Sequence, residues 1–512
     1  MAPTISSGLN TPESELESIL TIHPTALRRP NAILVQSVNT RYTQDHITAT
    51  FHNRGATVDV SHGQFTVTPT IQSYEFQTQR TVGKTGLMMI GVGGNNGSTL
   101  CATILANRHN ITWHTKSGIQ HPNYIGSVLR ASTVRIGTDG TGKDVHVPIS
   151  DILPMVHPND LALGGWDISG VSMDKAMERA KVLDYDLQRQ VAPHMALLGK
   201  PLPSIYYPDF IAANQEARAD NVIAGTDKQA HLEHIRADIR KFREDNSLDR
   251  CVVFWTANTE RYSNIIPGVN DTADNLLAAI KESHSEVSPS TLFAVAAILE
   301  GEPFVNGAPQ NTFVPGVIEL AERHQSFIGG DDLKSGQTKL KSVLAEFLVN
   351  AGIKPLSIAS YNHLGNNDGH NLSAEPQFKS KEISKSSVVD DMAKGEHPGP
   401  HRGDQNTSTI NIFNECEDSL LATPLILDLA ILTELLTRIK YRKVSAEIHK
   451  QEFAPLYPVL SLLSYMLKAP LVKPGTEVVN SLNRQRNALE TFLKACIGLE
   501  SNTDLLLETR IW

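Results

Sequence analysis

Cysteine is sparse in this chain: its four residues, Cys101, Cys251, Cys416 and Cys496, stand far apart with no C-x-x-C spacing. That excludes a disulfide scaffold and a zinc ribbon and predicts a reducing compartment. No long uninterrupted apolar run exists either. The longest, around Thr423 to Leu436, is broken by Asp428 and Glu434 and reads as a buried helix, not a membrane span. Positive charge is not in excess: 46 basic residues face 55 acidic ones for a net −9, and no basic stripe is present, so no nucleic-acid or membrane partner is expected. The first residues are polar and rich in Pro, Ser and Thr, unlike a signal peptide, so a cytoplasmic location is expected. G-x-S-x-G and Cys/His nucleophile signatures are missing, which argues against a covalent hydrolase. His231 and His234 have helical spacing but only Glu233 beside them, and Glu396, His397, His401 and Asp404 fall in a Pro/Gly-rich stretch, so no metal site is expected.

What the chain does have is a glycine loop in a telling place. The apolar run Leu87, Met88, Met89, Ile90 drops into Gly91-Val92-Gly93-Gly94-Asn95-Asn96-Gly97-Ser98-Thr99 and then into a helix-like segment. Glycines let backbone N–H groups approach an anion closely, and the unpaired N–H groups at a helix start favour negative charge, so the loop predicts a dinucleotide diphosphate site. The spacing departs from G-x-G-x-x-G, with three residues between Gly93 and Gly97. The second strand is expected at Ile111–Thr115, but it ends at Lys116 and Ser117 without the acidic residue that would hold a ribose. The later run Leu161 to Trp166 ends in Asp167, which either serves the ribose from another strand end or caps a turn.

Length implies two or three domains. Residues before about 84 carry β patterns at 47–51 and 64–68, and from about 85 to 338 apolar strands alternate with amphipathic helices such as the one bearing Leu232, Ile235, Ile239 and Phe242. That alternation predicts a doubly wound parallel sheet with ligands beyond the carboxyl ends of its strands. Three expected strand ends are rich in amides and hydroxyls: Thr256 to Arg261, Asn306 to Thr312, and Tyr361 to Gly369. Such loops suit a polyhydroxylated ligand and equally suit turns. Ser335 precedes the apolar periodicity Leu340, Val343, Leu344, Phe347 and reads as a helix cap able to receive an anion. Lys381 and Lys385 share a helical face if 379–385 is helical; an anion between them would relieve their repulsion, whereas a solvated basic face needs none.

The strings Gly91 to Ser98, Trp255 to Arg261, Pro309 to Thr312, Asp331 to Lys341, Ser360 to Gly369 and Cys416 to Leu425 together resemble the inositol-3-phosphate synthases (myo-inositol-1-phosphate synthases) of the eukaryotic, fungal-like type, over nearly the whole chain. The resemblance implies an α/β fold: a Rossmann-type NAD-binding domain (85–338), an inserted α+β catalytic and tetramerisation domain (339–421), and a central domain formed by both chain ends (1–84 and 422–512). It implies isomerisation of D-glucose 6-phosphate to 1D-myo-inositol 3-phosphate, the first step of inositol biosynthesis feeding phospholipid synthesis, in a homotetramer. In that family C5 is oxidised at the expense of NAD, C6 closes on C1, and the hydride returns. Enolisation and aldol closure need a general base and a cation near the developing oxyanion.

Residue by residue, the resemblance implies Lys381, Lys385 and Lys468 as active-site lysines, Lys385 on the phosphate. Ser335, Gly336, Gln337, Thr338, Asn366 and Asp368 are implied for substrate. NAD is implied at Gly91, Gly93, Gly94, Asn95, Asn96, Gly97, Ser98, Asp167, Ser204, Ile205, Gln215, Arg218, Thr256, Ala257, Asn258, Thr259, Gly307, Asp332, Asn366, Asn367, Asp368, Asp418 and Ser419. One departure stands out: residues 392–405 have no strand-like apolar run, where family members place a few dozen more residues, including sheet strands and a further lysine. Impaired turnover and a weakened tetramer are therefore expected. Two other readings stay open: an NAD-binding partner of a full-length paralogue, and a sugar-phosphate dehydrogenase.

Overall fold

The computed structural model describes residues 33–61, 63–211, 213–353, 355–360, 377–380, 382–384, 388, 409–444 and 452–501. Lys381, Lys385, Asn366, Asn367, Asp368 and the 392–405 stretch lie outside them.

The strand Thr85–Ile90 is buried at all six positions, and Arg250–Trp255 at five of six. Continuous apolar runs of this kind belong in a parallel sheet covered on both faces. Both lie at its centre. In space the order is Leu202–Pro203, Ala162–Asp167, Thr85–Ile90, Arg250–Trp255, Phe304–Asn306, Ile328–Gly329, every neighbouring pair parallel. In chain order that is 3-2-1-4-5-6, with a topological switch between the first and fourth strands.

The second strand is therefore Ala162–Asp167, which corrects the expectation for 111–115. Trp113–Thr115 instead makes a small antiparallel hairpin with Gly118–Gln120. The run Leu161 to Trp166 was readable as a strand but not as the second one, and its two glycines are both required by packing. A Cβ on Gly164 would sit 2.6 Å from the Phe242 ring, and one on Gly165 would meet the Met89 backbone at 2.0 Å.

A second sheet joins distant parts of the chain. His46–Ser61 and Gln64–Gln79 form a long hairpin, and Ile439–Val444 pairs with the latter from Ser73 to Thr78. At the base, Ile47, Ala49, Phe51, Tyr74 and Phe76 share one face, and the Phe76 ring meets Phe492 edge-on at 5.5 Å. Beyond Gln72 the face reverses. The core-side pairs become Asn53/Gln72, Gly55/Thr70, Thr57/Thr68 and Asp59/Thr66, while the opposite side carries Arg54/Ile71, Ala56/Pro69, Val58/Val67 and Val60/Phe65. Val58, Val60, Phe65, Val67 and Ile71 are each 57–69% exposed, so this apolar face has no cover within the described chain.

Helix Asp418–Thr437 is long and apolar enough to cross a membrane, yet it is packed into the core. Its buried Asp428 accepts hydrogen bonds from Ser127 Oγ and Val128 N, satisfying the start of the short helix Val128–Ala131. Burial pushes the Asp428 carboxyl up from 3.8 to about 7, against the pull of those bonds and of Lys339. The folded state thus holds a proton that the unfolded chain sheds, so this contribution to stability is full below the ordinary carboxyl range and is lost as pH rises through about 7. Asp428→Asn stays neutral throughout. Its stability relative to the parent is expected to rise by roughly 3 kcal/mol between pH 5 and 8, measured by denaturant melts at each pH. A flat difference would show that Asp428 is ionised in the fold.

Candidate active site

Every strand of the parallel sheet delivers an expected site residue at its carboxyl end: Gly91, Asp167, Ser204, Thr256, Gly307, and Asp332 shortly beyond Ile328–Gly329. These loops are tied to one another. Gly91 N and Val92 N donate to the Trp166 carbonyl, Thr256 N and Oγ1 to the Ile90 carbonyl, Gly307 N to Trp255, and Asp332 N to Ala308.

The glycine loop turns at Gly91, whose φ of +86° is left-handed backbone. A Cβ there would lie 2.7 Å from Ala257 Cα, so the first and fourth strand ends touch backbone to backbone. The helix Asn95–Arg108 starts directly after Gly94, with its first turn aimed from the loop. Asp167 holds the loop open: its Oδ2 accepts from Gly93 N at 2.9 Å and its Oδ1 from Ser169 N at 2.9 Å. Burial raises the Asp167 carboxyl, while those N–H groups, Arg218 and Arg179 favour its charge. The acidic residue is thus at the end of the second strand after all, as a loop brace. Arg179 donates to the Gly93 carbonyl, and Arg218 donates to the buried Gln215, its Nε buried without a hydrogen-bond partner among the described residues. Ser204 and Ile205 are buried beyond the third strand, and Thr259 beyond the fourth. A loop free of Cβ atoms, a helix start and a spare guanidinium donor fit the diphosphate and ribose of a dinucleotide.

The sheet's other side carries the reacting-site candidates. Lys468, 8% exposed, places Nζ 3.2 and 3.3 Å from the two carboxylate oxygens of Asp332. Main-chain bonds fix the pair: Lys468 N donates to the Asp332 carbonyl at 2.8 Å, and Leu333 and Leu467 form an antiparallel bridge. Ser384 Oγ also donates to the Asp332 carboxylate. Nearby, Ser335 caps helix Gly336–Asn350 by position, but its hydroxyl reaches Asp418 Oδ1 at 3.4 Å and makes no capping bond. Gln337 points to Cys416, 3.1 Å away, and Thr338 is buried. Helix Gly336–Asn350 and helix Asp418–Thr437, with Asp418 and Ser419 at its start, therefore meet end to end at a spot that can take an anion.

Two supporting residues were read from sequence only as members of polar loops, and a third, His231, only as a weak metal candidate. Asn306, fully buried, donates to Asp331 and to the Ala308 carbonyl, shaping the fifth strand's loop. Glu260, also fully buried, accepts from Ser290 N and Oγ, and burial lifts its carboxyl to about 7. His231 is a core histidine, bonded to Tyr207 Oη at 2.8 Å.

Strand order, glycine loop and strand-end chemistry define an NAD-binding α/β protein of the Rossmann class. The sequence profile described as myo-inositol-1-phosphate synthase, an NAD-binding family, matches residues 85–494. This chain belongs to that family. It is 51% identical over 507 residues to an inositol-3-phosphate synthase of Dictyostelium discoideum (93% of this chain, 98% of that protein) and 52% identical over 507 residues to inositol-3-phosphate synthase 1 of Homo sapiens (93% and 90%). A crystal structure of an inositol-3-phosphate synthase from Caenorhabditis elegans superposes with a TM-score of 0.89 at 48% identity, covering 93% of this chain and 98% of that one. The Dictyostelium alignment spans 507 positions but uses 93% of these 512 residues, about 476, so some thirty positions of the relative face no residue here.

Proposed function

We propose that this chain is an isomerase that converts D-glucose 6-phosphate to 1D-myo-inositol 3-phosphate with NAD as a recycled cofactor. The observation that carries the reading is the Lys468–Asp332 pair, held on the carboxyl edge of the same sheet that presents the glycine loop. Bound NAD supplies a hydride acceptor, later a donor, at the sugar's C5. The chain's residues do the rest. Gly91 to Ser98 and Arg218 hold the diphosphate, and Asp167 keeps the loop shaped. The Ser335–Thr338 helix start takes the sugar phosphate. Lys468, kept in place by Asp332, is the cation beside the oxyanion that develops during enolisation and ring closure. Net redox change is zero, which separates this reading from a dehydrogenase. Purified protein with NAD and glucose 6-phosphate is expected to form an inositol monophosphate, from which periodate releases phosphate, with no net NADH. Accumulating NADH with an oxidised sugar phosphate would replace the isomerase with a dehydrogenase.

The reading extends to a cytoplasmic homotetramer that feeds phospholipid synthesis. Two features support assembly. The apolar side of the 46–79 hairpin is uncovered, and a groove of about 650 Å³ lined by Phe51, Tyr74, Phe76, Tyr441 and Phe492 lies open at its base. The shortened 392–405 stretch bears on the same question. On either side of it, Leu356, Ile358, Ile410, Ile412 and Phe413 are exposed in stretches with no strand partner among the described residues. Apolar residues left this way fit a sheet lacking part of its strands. Inserting the corresponding segment of a full-length relative is expected to raise turnover by at least about tenfold and to sharpen a single tetramer mass in light scattering, because a missing cation at an oxyanion or phosphate site costs several kcal/mol. Equal turnover and mass before and after insertion would show the segment to be dispensable.

A further inference from the structure

Residues 377–380 and 382–384 meet the NAD-binding domain through polar side chains. Gln377, Ser380 and Ser384, at helical spacings of three and four, are 3%, 0% and 1% exposed. Gln377 Nε2 donates to the Phe210 carbonyl at 3.2 Å, Ser380 Oγ to the Glu260 carbonyl at 3.0 Å, and Ser384 Oγ to the Asp332 carboxylate. Their acceptors follow the third, fourth and sixth strands of the sheet, so this short segment bridges three of the strand ends that build the site. Its larger apolar side chains do not hold it there, because Phe378 and Ile383 are exposed. A buried hydroxyl donating to a carboxylate is charge-assisted and directional, which makes Ser384 the strongest of the three ties. Asp332 receives Ser384 on the same carboxylate that receives Lys468, and its own main chain is bonded to that of Lys468. In the sequence, Ser380 and Ser384 are each followed by a lysine.

We propose that Ser380 and Ser384 are positioning residues: their hydroxyls dock the 377–384 segment on the carboxyl edge of the sheet, and Ser384, acting through Asp332, sets the placement of Lys468. The catalytic consequence rests on the reading of Lys468 given under the proposed function, whereas the docking does not. Serine at these two positions is thus part of the reaction machinery without touching substrate.

Two measurements on the full NAD-saturated chain test this. The first is amide exchange read by mass spectrometry. Ser380→Ala and Ser384→Ala are each expected to speed exchange across 377–384 by about tenfold, the effect of one lost buried hydrogen bond, and to leave 85–108 unchanged. Ser342→Ala, which removes a buried hydroxyl with no hydrogen-bond partner among the described residues, is the control and leaves both regions unchanged. Unaltered exchange in the Ser384 variant overturns the docking. The second is a double-mutant cycle on kcat, expressed per NAD-binding site so that misfolded protein does not count. Ser384→Ala is expected to lower kcat about 10- to 100-fold in the parent and less than about twofold in a Lys468→Ala background. Equal effects in both backgrounds overturn the coupling to Lys468. A parent chain with no turnover of glucose 6-phosphate refutes the proposed function instead, and the exchange result then decides the docking alone.

Discussion

Lys468→Ala is expected to lower turnover by about 10²- to 10⁴-fold, the range for removing a positioned proton-transfer or oxyanion-stabilising group. NAD affinity is expected to change by less than about fivefold, since the glycine loop and its brace are assembled without this side chain. The size of the effect follows from the lysine's surroundings. Its ammonium is nearly buried against both oxygens of Asp332, and the antiparallel bridge between Leu333 and Leu467 leaves its backbone little freedom to compensate. Removal also strips the Asp332 carboxylate of a buried cation, so the variant loses a positive charge and exposes a negative one to the reacting site. Steady-state kinetics with NAD titration by fluorescence checks both halves. A loss of turnover below about tenfold would move Lys468 out of the chemistry and into a structural pair.

Gly97→Ala is the second large effect. A Cβ at Gly97 would lie 2.4 Å from the Val92 carbonyl oxygen and 2.6 Å from Val92 Cα, with backbone on the receiving side and no flexible atom to yield. The loop must open, and with it the diphosphate site. NAD affinity is expected to fall at least about 100-fold, accompanied by a drop in Tm of several degrees. Gly93→Ala provides the graded comparison, because there the new atom meets the Asp167 carboxylate at 3.1 Å, a side chain that can shift. Its loss is expected nearer tenfold. Calorimetric titration with NAD reads both. Equal affinities for the two variants would mean that the diphosphate does not sit over this turn.

The difference between these two glycines marks how far the sequence could be read. That an apolar strand drops through a glycine loop into a helix was legible in residues 87–105, because the constraint is local. Which strand stands second was not, because Trp113 to Thr115 alternates as a strand should, whereas Ala162–Asp167, itself readable as a strand, owes its place beside Thr85–Ile90 to Phe242 lying over Gly164 and to Met89 backing Gly165. Neither contact leaves a trace in local pattern. Asp167 likewise gave an ambiguous signal alone, and its bond to Gly93 spans 74 positions. The same holds on the substrate side. Lys468 was found through a resemblance, but its partner Asp332 lies 136 positions away, and the brace of Ser384 on that partner depends on three-dimensional closure. Helix Asp418–Thr437, by contrast, was readable as a core helix because two acidic residues interrupt its apolar run.

The 46–79 hairpin has a last consequence, for protein handling and turnover in the cell. Past Ser73 it loses its neighbour Ile439–Val444, and Thr40–Tyr42 covers only its opposite base, so its outer half is a bare two-stranded ribbon. Such ribbons are marginal in water on their own. The chain by itself therefore exposes, at one tip, open strand edges and an apolar strip in which Arg54 is the only charged member among the described residues. That tip is the expected first site of protease cleavage and of capture by a chaperone that binds apolar extended chain, and the tetramer proposed above would hide it. If the proposed tetramer forms, survival of the isolated chain would depend on its concentration, and a culture making little of the protein is expected to lose a larger fraction of it to degradation than one making much.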